Sequence, residues 1–116
     1  MKFIIEEVPP TENQFRGRQN VWSYRSEKAR WTQMVFYACK FAPHEKITGR
    51  ATVKITYFFK GFQRRDADNY SGKFILDGLV KAGILADDSF QHIDLVLRGV
   101  FGNKTARTEI EVEGLE

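Results

Sequence analysis

Hydrophobic and polar positions alternate most regularly over residues 51–59. Val53, Ile55, Tyr57 and Phe59 fall on one side, with Thr52, Lys54 and Thr56 on the other. A period of two marks a strand with one buried face. Residues 2–8 read as a first strand, stopped by Pro9-Pro10. From Ser26 to about Ala42 the spacing turns helical, with Trp31, Met34, Val35, Ala38 and Phe41 as its apolar positions. Ser26 suits the cap, Glu27 the first turn, and Pro43 the stop. A second helix is predicted from near Tyr70 to Ala82, with Gly83 in the position that follows a helix. Strands at about 91–101 and 105–113 come next, joined as a hairpin by a Gly102-Asn103-Lys104 turn. In the last strand Ile110 and Val112 alternate with Glu109, Glu111 and Glu113, which gives it one wet face. Residues 11–25 have no clean period and read as a long loop, a feature often tied to function. The order β-α-β-α-β-β, with two main helices, predicts an α+β domain with a small mixed sheet.

At 116 residues, the chain is expected to form a single domain spanning residues 1–116. Ten Phe, four Tyr and two Trp supply an ordinary core, yet a body this small gains from burying more surface in an oligomer. The lone Cys39 excludes an internal disulfide and fits a reducing compartment. Its apolar surroundings make it a buried structural thiol. The amino-terminal apolar run is too short for a signal peptide, and no membrane span is evident. A cytoplasmic location is therefore expected, with no membrane partner. Asn103-Lys104-Thr105 reads as a turn and not as a glycosylation acceptor.

The net charge of +3 says little, but its distribution says more. Arg16, Arg18, Arg25, Lys28 and Arg30 are opposed only by Glu27, and Lys60, Arg64 and Arg65 form a second cluster. With Phe15, Trp22, Tyr24 and Trp31 interleaved, the first run reads either as a face for phosphates and bases or as a solvated surface over core aromatics. Arg16, Arg18, Arg25, Arg64 and Arg65 are the candidate nucleic-acid-contacting residues.

The segment Arg64-Arg65-Asp66-Ala67-Asp68-Asn69, and Asp87-Asp88 beyond the second helix, carry the sharpest chemical signal. Crowded carboxylates repel one another unless a hard cation or other positive charge sits among them. In an extended segment Asp66 and Asp68 point the same way, so both can address one ion. Arginines beside them point to a polyanionic ligand. A Mg²⁺-dependent enzyme acting on nucleic acid uses both charges. Asp88 meets Asp66 only if the chain folds back through residues 84–87, or if a second subunit supplies it. Asn69, Lys73 and Asp77 form one polar stripe, which reads either as a surface Lys73–Asp77 pair or as a lysine serving carboxylates or phosphate. An EF-hand is excluded by Tyr70 and Ser71 where an oxygen ligand and Gly are needed. Zinc is excluded by one Cys and the distant His44 and His92, and no Walker-type loop is present.

Arg65-Asp66-Ala67-Asp68-Asn69, Lys73, Leu76-Asp77-Gly78-Leu79 and Lys81-Ala82-Gly83-Ile84-Leu85-Ala86-Asp87-Asp88 together resemble the RusA family of Holliday junction resolvases. Pro9-Pro10-Thr11-Glu12-Asn13 resembles that family's amino-terminal motif. The resemblance implies a small homodimeric endonuclease of bacterial or phage-infected cells. It implies Asp66, Asp68 and Asp88 as metal ligands for Mg²⁺ (with Mn²⁺ as a substitute). Lys73 is implied as a catalytic residue beside the scissile phosphate. The substrate implied is branched DNA, the four-way junction, cut by paired symmetric nicks that leave 5′-phosphates. The chain departs from the family in having Tyr70-Ser71-Gly72 between Asn69 and Lys73, one residue more than the best-known member. If Ser71 caps the helix and Gly72 absorbs the extra residue in the loop, Lys73 keeps its role. An extra residue inside the helix would instead rotate Lys73 by about 100°.

Two rival readings stand beside this one. The first is a non-catalytic DNA-binding protein of the same fold, acting in phage or prophage recombination. The second is an interaction domain with a structural Ca²⁺ or Mg²⁺ site, which leaves the basic loop without a purpose.

Overall fold

The computed structural model describes residues 1–12, 21–70 and 72–115, apart from the side chain of Asp68. Four strands, β1 (Lys2–Ile5), β2 (Ala51–Lys60), β3 (Ile93–Asn103) and β4 (Arg107–Gly114), build one sheet in the order β1-β4-β2-β3. β4 runs antiparallel to both β1 and β2, whereas β3 pairs with β2 in parallel. The helices are α1 (Val21–Lys40) and α2 (Lys73–Lys81), with a 3-10 turn at Ala67–Asn69. This is the expected small α+β domain, with two helices, a mixed sheet and the element order read from the sequence.

The alternation in β2 works as predicted. Val53, Ile55, Tyr57 and Phe59 are buried, together with Ile110 and Val112 of the neighbouring β4. The opposite face carries Lys2, Lys54, Glu109 and Glu111, joined in Lys2–Glu109 and Lys54–Glu111 ion pairs. α1 contributes Trp31, Val35 and Cys39 to the core, one residue per turn. α2 contributes Phe74, Ile75, Leu76 and Leu79, and Gly78 lets it press against α1. A Cβ on Gly78 would lie 2.5 Å from the Cβ of Val35.

Several boundaries and roles differ from expectation. Strands β3 and β4 are not a hairpin, because β2 lies between them and the Gly102-Asn103-Lys104 segment leads over its end. Both sequences alternate plausibly, and a short connection cannot reveal that a strand from elsewhere has taken the central place. α1 starts at Val21, so Ser26 lies inside the helix and does not cap it. Phe41, read as a core position, lies past the helix end and is 82% exposed. The cap of α2 is Gly72 and not Ser71, with φ at 84°. Gly72 also packs tightly, since a Cβ there would lie 2.9 Å from Cδ1 of Ile55. At the far end Gly83, with φ at 78°, closes α2 as predicted. The amides of Gly83 and Ile84 donate to the carbonyls of Val80 and Leu79, the pairing of a Schellman motif.

Candidate nucleic-acid and metal site

β2, α2 and the parallel β3 form a βαβ unit, and the segment carrying Asp66 follows the carboxyl end of β2. In open sheets with parallel strands this is the end where ligands collect. Asp66 has an extended backbone, with φ at −94° and ψ at 135°, and precedes the 3-10 turn. Its carboxylate is half exposed and sits 3.1 Å from Nε of Arg64. Arg64 is itself almost wholly exposed, so the pair is open to solvent and a phosphate could compete for the guanidinium. Asp68 lies within the 3-10 turn, and its side chain is outside the described residues.

Arg65 points elsewhere. Its guanidinium carbon lies 4.6 Å from the centre of the Phe59 ring, and its Nη1 donates to the Tyr70 hydroxyl at 2.8 Å. Both partners belong to a cleft lined also by Tyr57, Asp66, Ala67, Leu97, Arg98, Gly99 and Phe101. Sequence reasoning placed Tyr57 and Phe59 in the core by their alternation. They are buried, but at the end of β2 they also wall this cleft. Arg98 and Phe101 were not singled out from the sequence, because a lone Arg and Phe on a strand carry no motif.

Asp88 lines a second cleft with Leu76, Ser89, Phe90, Ile93, Asp94 and Leu95. Leu76 is only three residues into α2, about 4.5 Å of helix rise from Lys73. The chain therefore does fold back along α2 after Gly83. Arg50 braces this return, donating from Nη1 to the Phe90 carbonyl at 2.8 Å and pairing with Asp94. Asp87 is engaged locally. Its carboxyl is held below the usual range by the Asp88 amide, the Ser89 hydroxyl and nearby His92. The His92 Nδ1 lies 2.8 Å from the Ser89 Oγ, which gives His92 a structural place in the turn. Asp88 remains exposed.

Asp66 and Asp88 thus occupy separate clefts on either side of Gly72, whose position faces Leu95 and Leu97 of β3. Those two strand residues, the near edges of the clefts, are about 7 Å apart. Among the described residues no three His, Cys, Asp or Glu side chains gather as a metal-binding group. The carboxylate oxygens of Asp66 and Asp88 are the right donor type for a hard divalent cation.

Lys73, the first residue of α2, is exposed. Its Nζ lies 5.6 Å from the centre of the Tyr24 ring. The Tyr24 hydroxyl, then the charges of Asp77 and Glu12, raise the ammonium above its ordinary value. Asp77 forms its ion pair with Lys28 of α1 at 3.3 Å and acts on Lys73 through its charge. Glu12, two residues beyond Pro9-Pro10, also acts electrostatically on Tyr57. This brings the amino-terminal motif into the neighbourhood of α2.

The basic run divides. Arg30 is bound to Glu7 and Glu27, and Lys28 to Asp77. Trp31 is fully buried and unavailable for stacking. Arg25 lies over Trp22, 5.5 Å from the ring centre, and Trp22 is 78% exposed. Arg16, Arg18 and Phe15 lie outside the described residues. No described helix is long and apolar enough to cross a membrane. No protein-family model matches the chain, and no curated protein matches it.

Proposed function

We propose that the protein is a metal-dependent endonuclease of the RusA type, a homodimer that resolves four-way DNA junctions with paired nicks. One observation carries the reading. The exposed carboxylates Asp66 and Asp88 flank the amino end of α2, where Lys73 opens the helix and Arg64 stands beside Asp66. Carboxylates alone would repel a phosphodiester, and cations alone would bind one without cutting it. Alternating the two across one helix end suits a phosphate that must be held and hydrolysed.

In this reading Asp66, Asp68 and Asp88 are the residues that would hold Mg²⁺. The chemistry supplied by Mg²⁺ in such a site is activation of water and stabilisation of the departing oxygen. Lys73, aided by the helix dipole, offsets charge that develops on the phosphate. Arg64 and Arg25 contact the backbone, and Trp22 offers a stacking surface. Gly72 supports the assignment of Lys73. Tyr70, Ser71 and Gly72 all precede α2, which favours an extra residue in the loop over one inside the helix.

The test is a synthetic four-way junction incubated with purified protein and Mg²⁺ or with EDTA. Symmetric nicks in opposed strands, seen only with Mg²⁺, are expected. Junction binding without nicking would favour the non-catalytic DNA-binding protein, and absence of binding would overturn the nucleic-acid reading.

A further inference from the structure

The cleft at the carboxyl ends of β2 and β3 has features the hydrolytic reading does not use. Its volume is about 140 Å³. A cavity of about 150 Å³ accepts one benzene ring, so there is room for a single ring and none for stacked bases. The walls are aromatic. Phe59 and Phe101 stack with centres 5.4 Å apart, and Tyr70 meets Phe59 edge-on at 5.2 Å. The Arg65 guanidinium lies over the Phe59 ring, 4.6 Å from its centre, and Arg98 lines the same cleft. Two buried donors have no hydrogen-bond partner among the described residues, the Tyr57 hydroxyl and the Arg65 Nε. Tyr57 is 2% exposed, and native folds seldom leave such groups unsatisfied. An occupant with a flat π-face and in-plane acceptor oxygens or nitrogens would satisfy both.

We propose that this cleft receives one nucleobase, extruded from its stack, and holds it next to Asp66. The inference rests on the nucleic-acid reading and adds a base-binding subsite to it. Asp66 shares the cleft's lining, so a captured base would fix the adjoining backbone near that carboxylate. A branch point suits this, because its bases are already partly unstacked and cost less to extrude.

The experiment uses four-way junctions with 2-aminopurine at successive positions around the branch, as a reporter that brightens when the pyrimidine stacked beside it is extruded, in EDTA so that the DNA stays intact. Binding is followed separately by anisotropy. Wild-type protein should brighten 2-aminopurine at one position or one short run. A side chain at Gly99 would enter the cleft, since its Cβ would lie 3.3 Å from the Phe59 ring. Gly99→Leu should therefore abolish the brightening and weaken binding by about tenfold, the value of one stacked base. Its salt dependence should stay unchanged, because phosphate contacts are untouched. Tyr57→Phe keeps the cleft's shape and removes one donor, so about a fivefold weakening is expected even if Gly99→Leu fails to fold.

Junction binding without brightening at any position would overturn the inference and leave the proposed function standing. Full brightening in Gly99→Leu would overturn it as well. Saturable binding of thymidine monophosphate without brightening in DNA would overturn it by assigning the cleft to a free nucleotide. If the protein binds no junction at all, both proposals fall.

Discussion

Gly78→Ala adds one methyl group at the point where α2 crosses α1. The new Cβ would sit 2.5 Å from the Cβ of Val35 and 2.7 Å from its Cγ1. A Cβ is fixed to the backbone, so no rotamer of Val35 relieves the closer contact. The helices must part by about 1 Å, which forfeits a quarter to a half of the dispersion energy of each contact along the seam. Overpacking of this kind costs about 1–3 kcal/mol, and the closed rotamer route puts Gly78→Ala near the upper end. Exchanging Gly for Ala inside a helix returns about 1 kcal/mol. The net loss is about 2 kcal/mol, or a fall in Tm of about 8 °C at this size. Gly49→Ala is the control. Nothing lies within 4 Å of its Cβ position and its φ is not positive, so a gain of about 0.5 kcal/mol is expected. Urea unfolding followed by circular dichroism reads both changes as midpoint shifts at constant slope. A Gly78→Ala protein as stable as its parent would refute the packing described for α1 and α2.

Lys73→Ala should leave Tm within about 1 °C, because surface substitutions away from buried networks change little, while nicking of the junction falls by at least about tenfold; an unfolded variant or one with parental rates would contradict its role. Glu109 is held below the usual carboxyl range, first by the Lys2 ammonium and then by Arg107. A depressed folded value contributes stability above the unfolded value near about 4.3, and that contribution is lost as pH falls through the folded value. Glu109→Gln should therefore show a shallower loss of stability below about pH 4 in acid titrations monitored by fluorescence. Burial raises the Cys39 thiol to about 11, so disulfide-exchange reagents at pH 8 should label it slowly in the folded protein and quickly in urea.

Much of the fold was legible because its signals are local. The alternation of Val53, Ile55, Tyr57 and Phe59 needs only a strand with one covered face. Gly83 needs only a helix that must end in a left-handed turn. The central place of β2 was not legible, since strand order depends on pairings far apart in the chain. The start of α1 was missed because Val21-Trp22-Ser23-Tyr24-Arg25 leaves Trp22 and Arg25 exposed, so no apolar stripe announces the first turn. At the candidate site, Asp66, Lys73 and Asp88 stood out through charge that needs compensation. The wall of Tyr57, Tyr70 and Phe101 did not, because aromatic residues on strands usually signal core. The fold-back that brings Asp88 beside Leu76 rests on Arg50 holding the Phe90 carbonyl, a contact between distant segments that no spacing rule anticipates.

Asp66, Asp68 and Asp88 are proposed to make one Mg²⁺-dependent site for cutting DNA. That assignment is tested most directly by measuring junction nicking by Asp66→Asn, Asp68→Asn and Asp88→Asn beside their binding of the same junction. The account predicts that each substitution abolishes Mg²⁺-dependent nicking while binding persists, or tightens as repulsion of phosphate falls. Full nicking activity in any one of the three would contradict the assignment of that residue, and full activity in all three would contradict the account.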